Sequence, residues 1–266
     1  MAEQLYLREE LEQVWRGSDV FHEVLQLSGE VYRSVKNRRT LRVELGERVY
    51  FAKIHGAVGW LEILKNLITL RYPVVGAGNE YRASEVLQNC GVEVPGVAAF
   101  GMRGMSPAAR ESFILTDAVE PSVSLEDYCR DWAAQKPAFR TKRILIHEVA
   151  DITKRLHAAG LNHRDLYICH FLLDQNALEA GEFRLILIDL HRAQKRSRIP
   201  RRWLIKDLGS LQFSCLDLGL EVKDWMRFIA RYTGKPLREA LEKDAEFWSA
   251  VQRRAEQLYA KALAAQ

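Results

Sequence analysis

The sequence predicts an α+β protein in two lobes, a small antiparallel β-sheet followed by a mainly helical half. Three observations carry this. Between residues 28 and 119 the apolar residues fall into short β-branched and aromatic runs broken by turn residues, as in strands. From about residue 124 the apolar spacing changes to three and four, as in helices. The chain has 266 residues, 48% hydrophobic and 28% charged, an ordinary globular composition with room for a sizeable core.

Taken in order, residues 3–16 and 19–27 read as helices, with Leu11, Val14 and Trp15 on one face. The runs "EVYRSVK", "TLRVEL" and "RVYFAKI" read as three antiparallel strands. "GWLEILKNLITLRYP" reads as a helix ending before Pro73, and "NEYRASEVLQNCG" as another, with Asn79 near its start and Gly91 after its end. "VPGVAAFG" and "SFILTDAV" complete a five-stranded sheet. A short hinge falls near residues 117–123, which divides an N-lobe of residues 1–119 from a C-lobe of residues 120–266. In the C-lobe "SLEDYCRDW" is a short helix. "AFRTKRILIHEVADITKRLHAAG" is a long one, with Ile144, Val149, Ile152 and Leu156 near one stripe and Gly160 as its stop. "HRDLYICH" is a loop, "FLL" and "FRLILIDL" are short strands, and the rest from Pro200 is helical.

Several classes are disfavoured. Cys90, Cys129, Cys169 and Cys215 are far apart and form no CxxC pair, which argues against a disulfide framework or zinc ribbon and for reduced thiols. The first residues are charged throughout, unlike a signal peptide, and no window reaches the roughly 20 apolar residues that span a bilayer. A cytoplasmic protein that binds no nucleic acid is expected.

Four residues then recur in the order that phosphoryl transfer requires. Lys53 lies in "VYFAKIHG" on the third strand, where a lysine can pair with nucleotide phosphates. Glu80 shares the helix stripe of Ala83, Val86, Leu87 and Cys90, whereas Glu85 points elsewhere, so Glu80 is its expected partner. Asp165 follows His163 and Arg164 in "HRD" after the long helix, placed to take the proton of an attacking hydroxyl or to orient it. Asp189 ends the apolar run "RLILI", where a carboxylate is costly unless paired or metal-bound, and Mg2+ is its natural partner. Each alone has a bland reading: an edge-strand lysine, a solvated glutamate, a surface turn, a strand-end cap. Their joint order predicts a protein-kinase-like fold using ATP. A zinc site built from His157, His163, Cys169, His170 and His191 is the competing reading, but the spacings match no helix pair or CxxC pattern.

With those residues in place, "NHRDLYICHFLL", "LIDLHRAQ", "YFAKIHGAVGW", "VVGAGNEYRA" and "KDLGSLQFSCLD" make the chain resemble the bacterial lipopolysaccharide core heptose(I) kinases. The resemblance spans residues 50–217. It implies transfer of the ATP γ-phosphate to a hydroxyl of the first inner-core heptose. Asp165 would then be the catalytic carboxylate within His163-Arg164-Asp165, Asp189 the Mg2+ ligand, and Lys53 with Glu80 the phosphate-binding pair. It also implies a core–lipid A acceptor, peripheral contact with the inner face of the inner membrane, and acyl carrier protein as a further partner.

Three departures from ordinary protein kinases stand out. No GxGxxG covers the phosphates; the first turn is "VKNRRT", so Lys36, Arg38 and Arg39 either supply positive charge there or form a solvated hairpin. His170 stands where a metal-binding asparagine is expected, as a metal ligand or as a hydrogen-bond partner of Asp165 or a phosphate. "DLH" replaces DFG, so control by an activation-loop flip is not expected. The adenine is expected near residues 117–119, with Asp117 in the nucleotide site. Residues 191–202 hold Arg192, Lys195 and Arg196 among six Lys or Arg and no acid, which reads as a solvated loop or as a site for an anionic acceptor. Residues 57–71 form either a packed helix or one that dips into a membrane interface. The rival functions are a kinase for another sugar or small alcohol, and a kinase-like scaffold that has lost catalysis.

Overall fold

Alternation of side chains across strands explains the first half of the computed structural model, which describes residues 3–35, 38–56, 76–104 and 110–265. Strands β1 (Gln4–Leu7), β2 (Glu30–Val35), β3 (Arg38–Leu45), β4 (Arg48–His55), β5 (Val97–Arg103) and β6 (Glu111–Asp117) form one sheet in the order β1-β5-β6-β4-β3-β2. All its pairings are antiparallel. On β4, Tyr50, Ala52 and Ile54 enter a core with Leu11, Trp15, Phe21 and Val24 of helices α1 (Glu9–Val14) and α2 (Val20–Gln26) and their flanks. Lys53, between Ala52 and Ile54, therefore points to the opposite face. There Phe100, Ile114 and Ala77 form a second small core.

Two expectations for this half are corrected. Residues 4–7 are a strand. The segment is exposed on its outer side and hydrogen-bonds along the edge of β5, and this ladder outweighs the helix-like spacing of its few apolar residues. The helix begins only at Glu9, where Glu9, Glu10 and Glu12 suit its positive end. The sheet accordingly has six strands rather than five. Val14 does not join Leu11 and Trp15 inside; it is exposed. The expected helix over 57–71, its membrane contact, and Lys36 lie outside the described residues.

Helix α3 (Gly78–Asn89) is held by its entry. Gly76 has φ +136°, and a Cβ there would press on Ser112 Oγ, so only glycine lets the chain pass this close. The next residue, Ala77, donates its N–H to that same Oγ at 3.0 Å. Tyr81 then stacks on Phe100, with centroids 4.3 Å apart. These contacts place Glu80 on the face that carries Lys53. Of the predicted inward stripe, Ala83 and Leu87 are buried and Val86 half-buried, while Cys90 is exposed, a correction, because the helix ends at Asn89 and Cys90 lies in the turn after it.

The chain divides into two compact units, Met1–Glu85 with Pro95–Ala118, and Val86–Val94 with Val119–Gln266. The second takes Val86–Val94 from the first half of the sequence because that segment is tied to it by hydrogen bonds. Leu187 N–H reaches the Glu93 carbonyl, and Arg155 reaches that of Gly91. This unit holds helices α4 (Leu125–Tyr128), α5 (Phe139–Ala158), α6 (Gln175–Glu179), α7 (Arg201–Phe213), α8 (Val222–Thr233), α9 (Leu237–Lys243) and α10 (Ala245–Leu263). Strands β7 (Ser122–Ser124), β9 (Phe171–Asp174) and β10 (Leu185–Leu187) form a small sheet, and β8 (Leu161–Asn162) pairs with β11 (Gln194–Lys195). Part of the expected hinge is thus strand β7. Gly160, at φ +74°, ends α5 as expected, and the Arg196 carbonyl lies where its Cβ would stand.

Candidate active site

In the sheet unit, Lys53 Nζ donates to Glu80 Oε1 at 2.6 Å. Their side chains are 14% and 7% exposed, so this ion pair is shielded from water, where the Coulomb attraction is strongest and an unpaired partner is most costly. Lys53 sits mid-sheet, opposite Thr40 on β3 and Ile114 on β6, which fixes its height.

Two other predicted nucleotide contacts in this unit are engaged elsewhere. The Asp117 carboxylate accepts both arms of Arg8, at 2.8 and 2.6 Å, a fork that fills its oxygens. This hydrogen bonding holds the Arg8 guanidinium well above its ordinary pKa against the opposing effect of burial. Arg39 donates to the Leu25 carbonyl at the end of α2, which favours cations. Arg38 lies half-buried on β3, paired across the ladder with His55.

In the helical unit the catalytic-loop candidates sit on a buried scaffold. Asp207 of α7 is fully buried and accepts the backbone N–H of His163 at 2.7 Å and of Arg164 at 2.8 Å. His157 Nε2 lies 3.3 Å from the same carboxylate, and its Nδ1 lies 2.9 Å from the Tyr232 hydroxyl. The carboxylate thus holds both loop amides, and Arg164 sits at φ +76°, a conformation that costs an arginine energy and persists because it is tied. His163 is wholly buried and lies 3.1 Å from the Ile188 carbonyl, while Ile188 N–H donates to the His170 carbonyl. Burial holds the His163 imidazole below its ordinary pKa. Closed off from any substrate, it joins the Asp165 loop to the Asp189 loop, a positioning role rather than the expected catalytic one.

Asp165 is partly buried, its side chain 16% exposed. Its two oxygens lie 2.7 and 3.0 Å from one nitrogen of Arg192, whose side chain is 40% exposed. Its carbonyl accepts from His170 Nδ1 at 2.7 Å, which fixes the tautomer. The Nε2 of that ring lies 3.7 Å from Asp189 Oδ2. Asp189, at φ +62°, also lies 2.5 Å from His191 Nδ1 through its other oxygen, and that imidazole orients it. Asp189 Oδ2 and His170 Nε2 are the atoms that would face a divalent metal here, with His170 able to act as a ligand only through an unprotonated Nε2. Among the described residues no group of three or more His, Cys, Asp or Glu could hold a metal. The same finding removes the zinc reading for the described residues.

Of the basic loop, Arg192 holds Asp165, Lys195 reaches the Ala159 carbonyl at the end of α5, and Arg196 reaches Asn162 and Gln194. Sequence reasoning missed Asp207, His157 as its partner, and Arg8. Asp207 had a signal: a lone acid within the apolar helix "WLIKDLGSL" must be paired.

The description "Lipopolysaccharide kinase (Kdo/WaaP) family" matches residues 22–232. The chain belongs to this family. It is 46% identical over 256 residues to "Lipopolysaccharide core heptose(I) kinase WaaP" of Pseudomonas aeruginosa, covering 96% of each chain. To the protein of the same name from Escherichia coli K12 it is 48% identical over 236 residues, 88% of this chain and 89% of the other. A solved structure, "WaaP in complex with acyl carrier protein", matches with a TM-score of 0.85 at 42% identity, covering 96% of this chain and 99% of that one. The α+β, kinase-like fold is therefore established. No helix among the described residues is long and apolar enough to cross a membrane.

Proposed function

We propose that this kinase transfers the γ-phosphate of ATP to a hydroxyl of the first heptose in the lipopolysaccharide inner core. The observation that carries the reading is 46–48% identity along most of the chain to heptose(I) kinases, in a protein whose Asp165, His170 and Asp189 lie together. Lys53, steadied by Glu80, pairs with nucleotide phosphates. Asp189 and His170 would hold Mg2+, which would neutralise charge developing on the phosphates. Asp165 accepts the proton of the heptose hydroxyl. Arg192 occupies its carboxylate beforehand and must yield as that hydroxyl arrives. Arg192, Lys195 and Arg196 belong to the acceptor side of the reaction.

Two further parts of the reading concern partners. The helical unit contains a cavity of about 260 Å³ lined by Leu145, Val149, Leu211, Leu218, Trp225 and Phe228 among others. An acyl carrier protein presenting its chain to this cavity is the partner proposed, in keeping with the complex of the related WaaP. The work is placed at the inner face of the inner membrane, where the core–lipid A acceptor is available.

The test is incubation of purified protein with radiolabelled ATP, Mg2+ and dephosphorylated core. Label on the core supports the reading. Label appearing only on a soluble sugar or small alcohol, or on nothing, removes it.

A further inference from the structure

The described residues contain a concentration of charge of which the proposed chemistry uses only Arg196. Four cations surround the Trp203 indole: Lys206 Nζ lies 4.4 Å from its centroid, and the guanidinium carbons of Arg164, Arg196 and Arg202 lie at 5.2, 5.5 and 5.7 Å. They come from three places, the loop that ends in Asp165, the loop after Asp189, and α7. Arg192 and Arg254 add to the same field. Burial lowers the pKa of Arg164 and of Lys206, and these neighbouring cations lower both further.

Among the described residues no carboxylate forms a salt bridge with Arg164, Arg196, Arg202, Lys206 or Arg254. The partners of Arg196 are the neutral amides of Asn162 and Gln194. Arg164 Nε, Arg254 Nε and Trp203 Nε1 are shielded and lack a hydrogen-bond acceptor. Arg202 and Lys206 reach water, whereas Arg164 and Arg196 are half-buried on the ring with no acid paired to them. Cation–π contact returns part of the cost of crowding like charges, but it does not satisfy the orphaned donors. The missing component is an anion.

We propose that the Trp203 cluster is a subsite for an acidic group of the acceptor, a sugar carboxylate or a phosphate, beside Asp165. The proposal rests on the reading of the chain as a core kinase. Arginine forks match both anions. Arg164 precedes Asp165, whose charge acts on it directly, so an anion held here sits next to the carboxylate that must meet the acceptor hydroxyl. Nucleotide phosphates already have Lys53 and the metal pair in the proposed scheme, which leaves this cluster to the acceptor.

Two measurements test it. In 15N-labelled protein, the Trp203 indole N–H signal is assigned by its loss in Trp203→Phe, and galacturonate, inorganic phosphate and galacturonate methyl ester are titrated in turn. The signal should shift with an anion and not with the neutral ester. The exposed Arg202→Gln/Lys206→Gln pair should weaken the response about tenfold, the scale of a lost charge-assisted contact. A response to galacturonate alone identifies a sugar carboxylate, and to phosphate alone a phosphate; either supports the subsite. No response to either, or an equal response to the ester, overturns it.

Kinetically, the same pair should raise KM for the dephosphorylated core about tenfold and KM for ATP less than about twofold. On core whose carboxylates are methyl-esterified and whose lipid A has been removed, its effect on KM should nearly vanish. A rise confined to KM for ATP, or the same rise on both acceptors, also overturns the proposal. If the wild type transfers no phosphate to core while the indole still reports anions, the heptose reading fails and the anion site stands. If phosphate reaches the core while the indole stays silent, the heptose reading stands and the anion site is removed.

Discussion

The Lys53–Glu80 pair of the sheet unit and the Arg192–Asp165 pair of the helical unit are chemically alike and physically opposite. Each joins one cation to one carboxylate at 2.6–2.7 Å. Lys53 and Glu80 are 14% and 7% exposed, on a strand and a helix held by Gly76, Ser112 and the Tyr81–Phe100 stack. Arg192 is 40% exposed, at the end of a short 3-10 turn, while its partner Asp165 is 16% exposed, so only the cation of this pair stands open to water. A buried pair is costly to open, so it fits a geometry set before any substrate arrives. A pair whose cation reaches water exchanges that cation more cheaply, as the Asp165 carboxylate needs if it is to receive a hydroxyl. The comparison thus separates what is fixed from what moves during turnover.

The largest expected effect falls on the carboxylate of the Arg192–Asp165 pair. Asp165→Asn should lower kcat by about 10²–10⁴ without loss of structure, measured as steady-state phosphate transfer alongside circular dichroism. A near-normal rate would remove Asp165 as the base. Asp189→Asn should abolish Mg2+-dependent transfer in a protein that unfolds as the wild type does.

Next comes the closed pair. Lys53→Met leaves Glu80 buried with its clasp gone and should cost about 3–5 kcal/mol in urea unfolding. Lys53→Met/Glu80→Leu should recover most of that stability and none of the activity. Were Lys53→Met as stable as wild type, the closed character of the pair would be disproved.

Arg192→Gln is the contrasting change, with about 0–1 kcal/mol expected in the same assay. A loss matching that of Lys53→Met would erase the distinction. The smallest effect concerns Asp224, a closed carboxylate of the helical unit paired with Lys142 at 2.7 Å. Burial pushes its pKa up, but the hydrogen bond from Lys142 and that from the Glu221 N–H prevail and hold it below the ordinary 3.8. A depressed folded-state pKa contributes stability above the unfolded value and loses it as pH falls through the folded one. The stability gap between wild type and Asp224→Asn should therefore be constant at neutral pH and close only below about pH 4. A gap that closes near neutrality would contradict the assignment.

Much of the fold was legible because strand and helix periods differ. The sheet runs around Lys53 and the long helix before "HRD" both emerge from spacing alone. Residues 4–7 were not legible, since an edge strand of four residues is decided by the backbone of β5, which the local pattern does not contain. Glu80 was chosen over Glu85 by its helix stripe, and the contact with Lys53 follows that geometry. Asp117 and Arg39 were assigned to the nucleotide because a charged side chain near a motif suggests a ligand, while the partners the fold gives them, Arg8 and the Leu25 carbonyl, are distant in sequence. The Asp207 support was hidden likewise, because it acts on backbone amides some forty residues away. The cations on Trp203 were visible as a basic run, but only the structure adds Arg164 and Lys206 to them.

The most direct measurement is mass spectrometry of dephosphorylated core oligosaccharide after incubation with ATP, Mg2+ and either the wild type or Asp165→Asn. The account predicts one added phosphate on the first heptose with the wild type and almost none with the variant. Phosphate on another sugar, no phosphate at all, or equal transfer by the two proteins would contradict it.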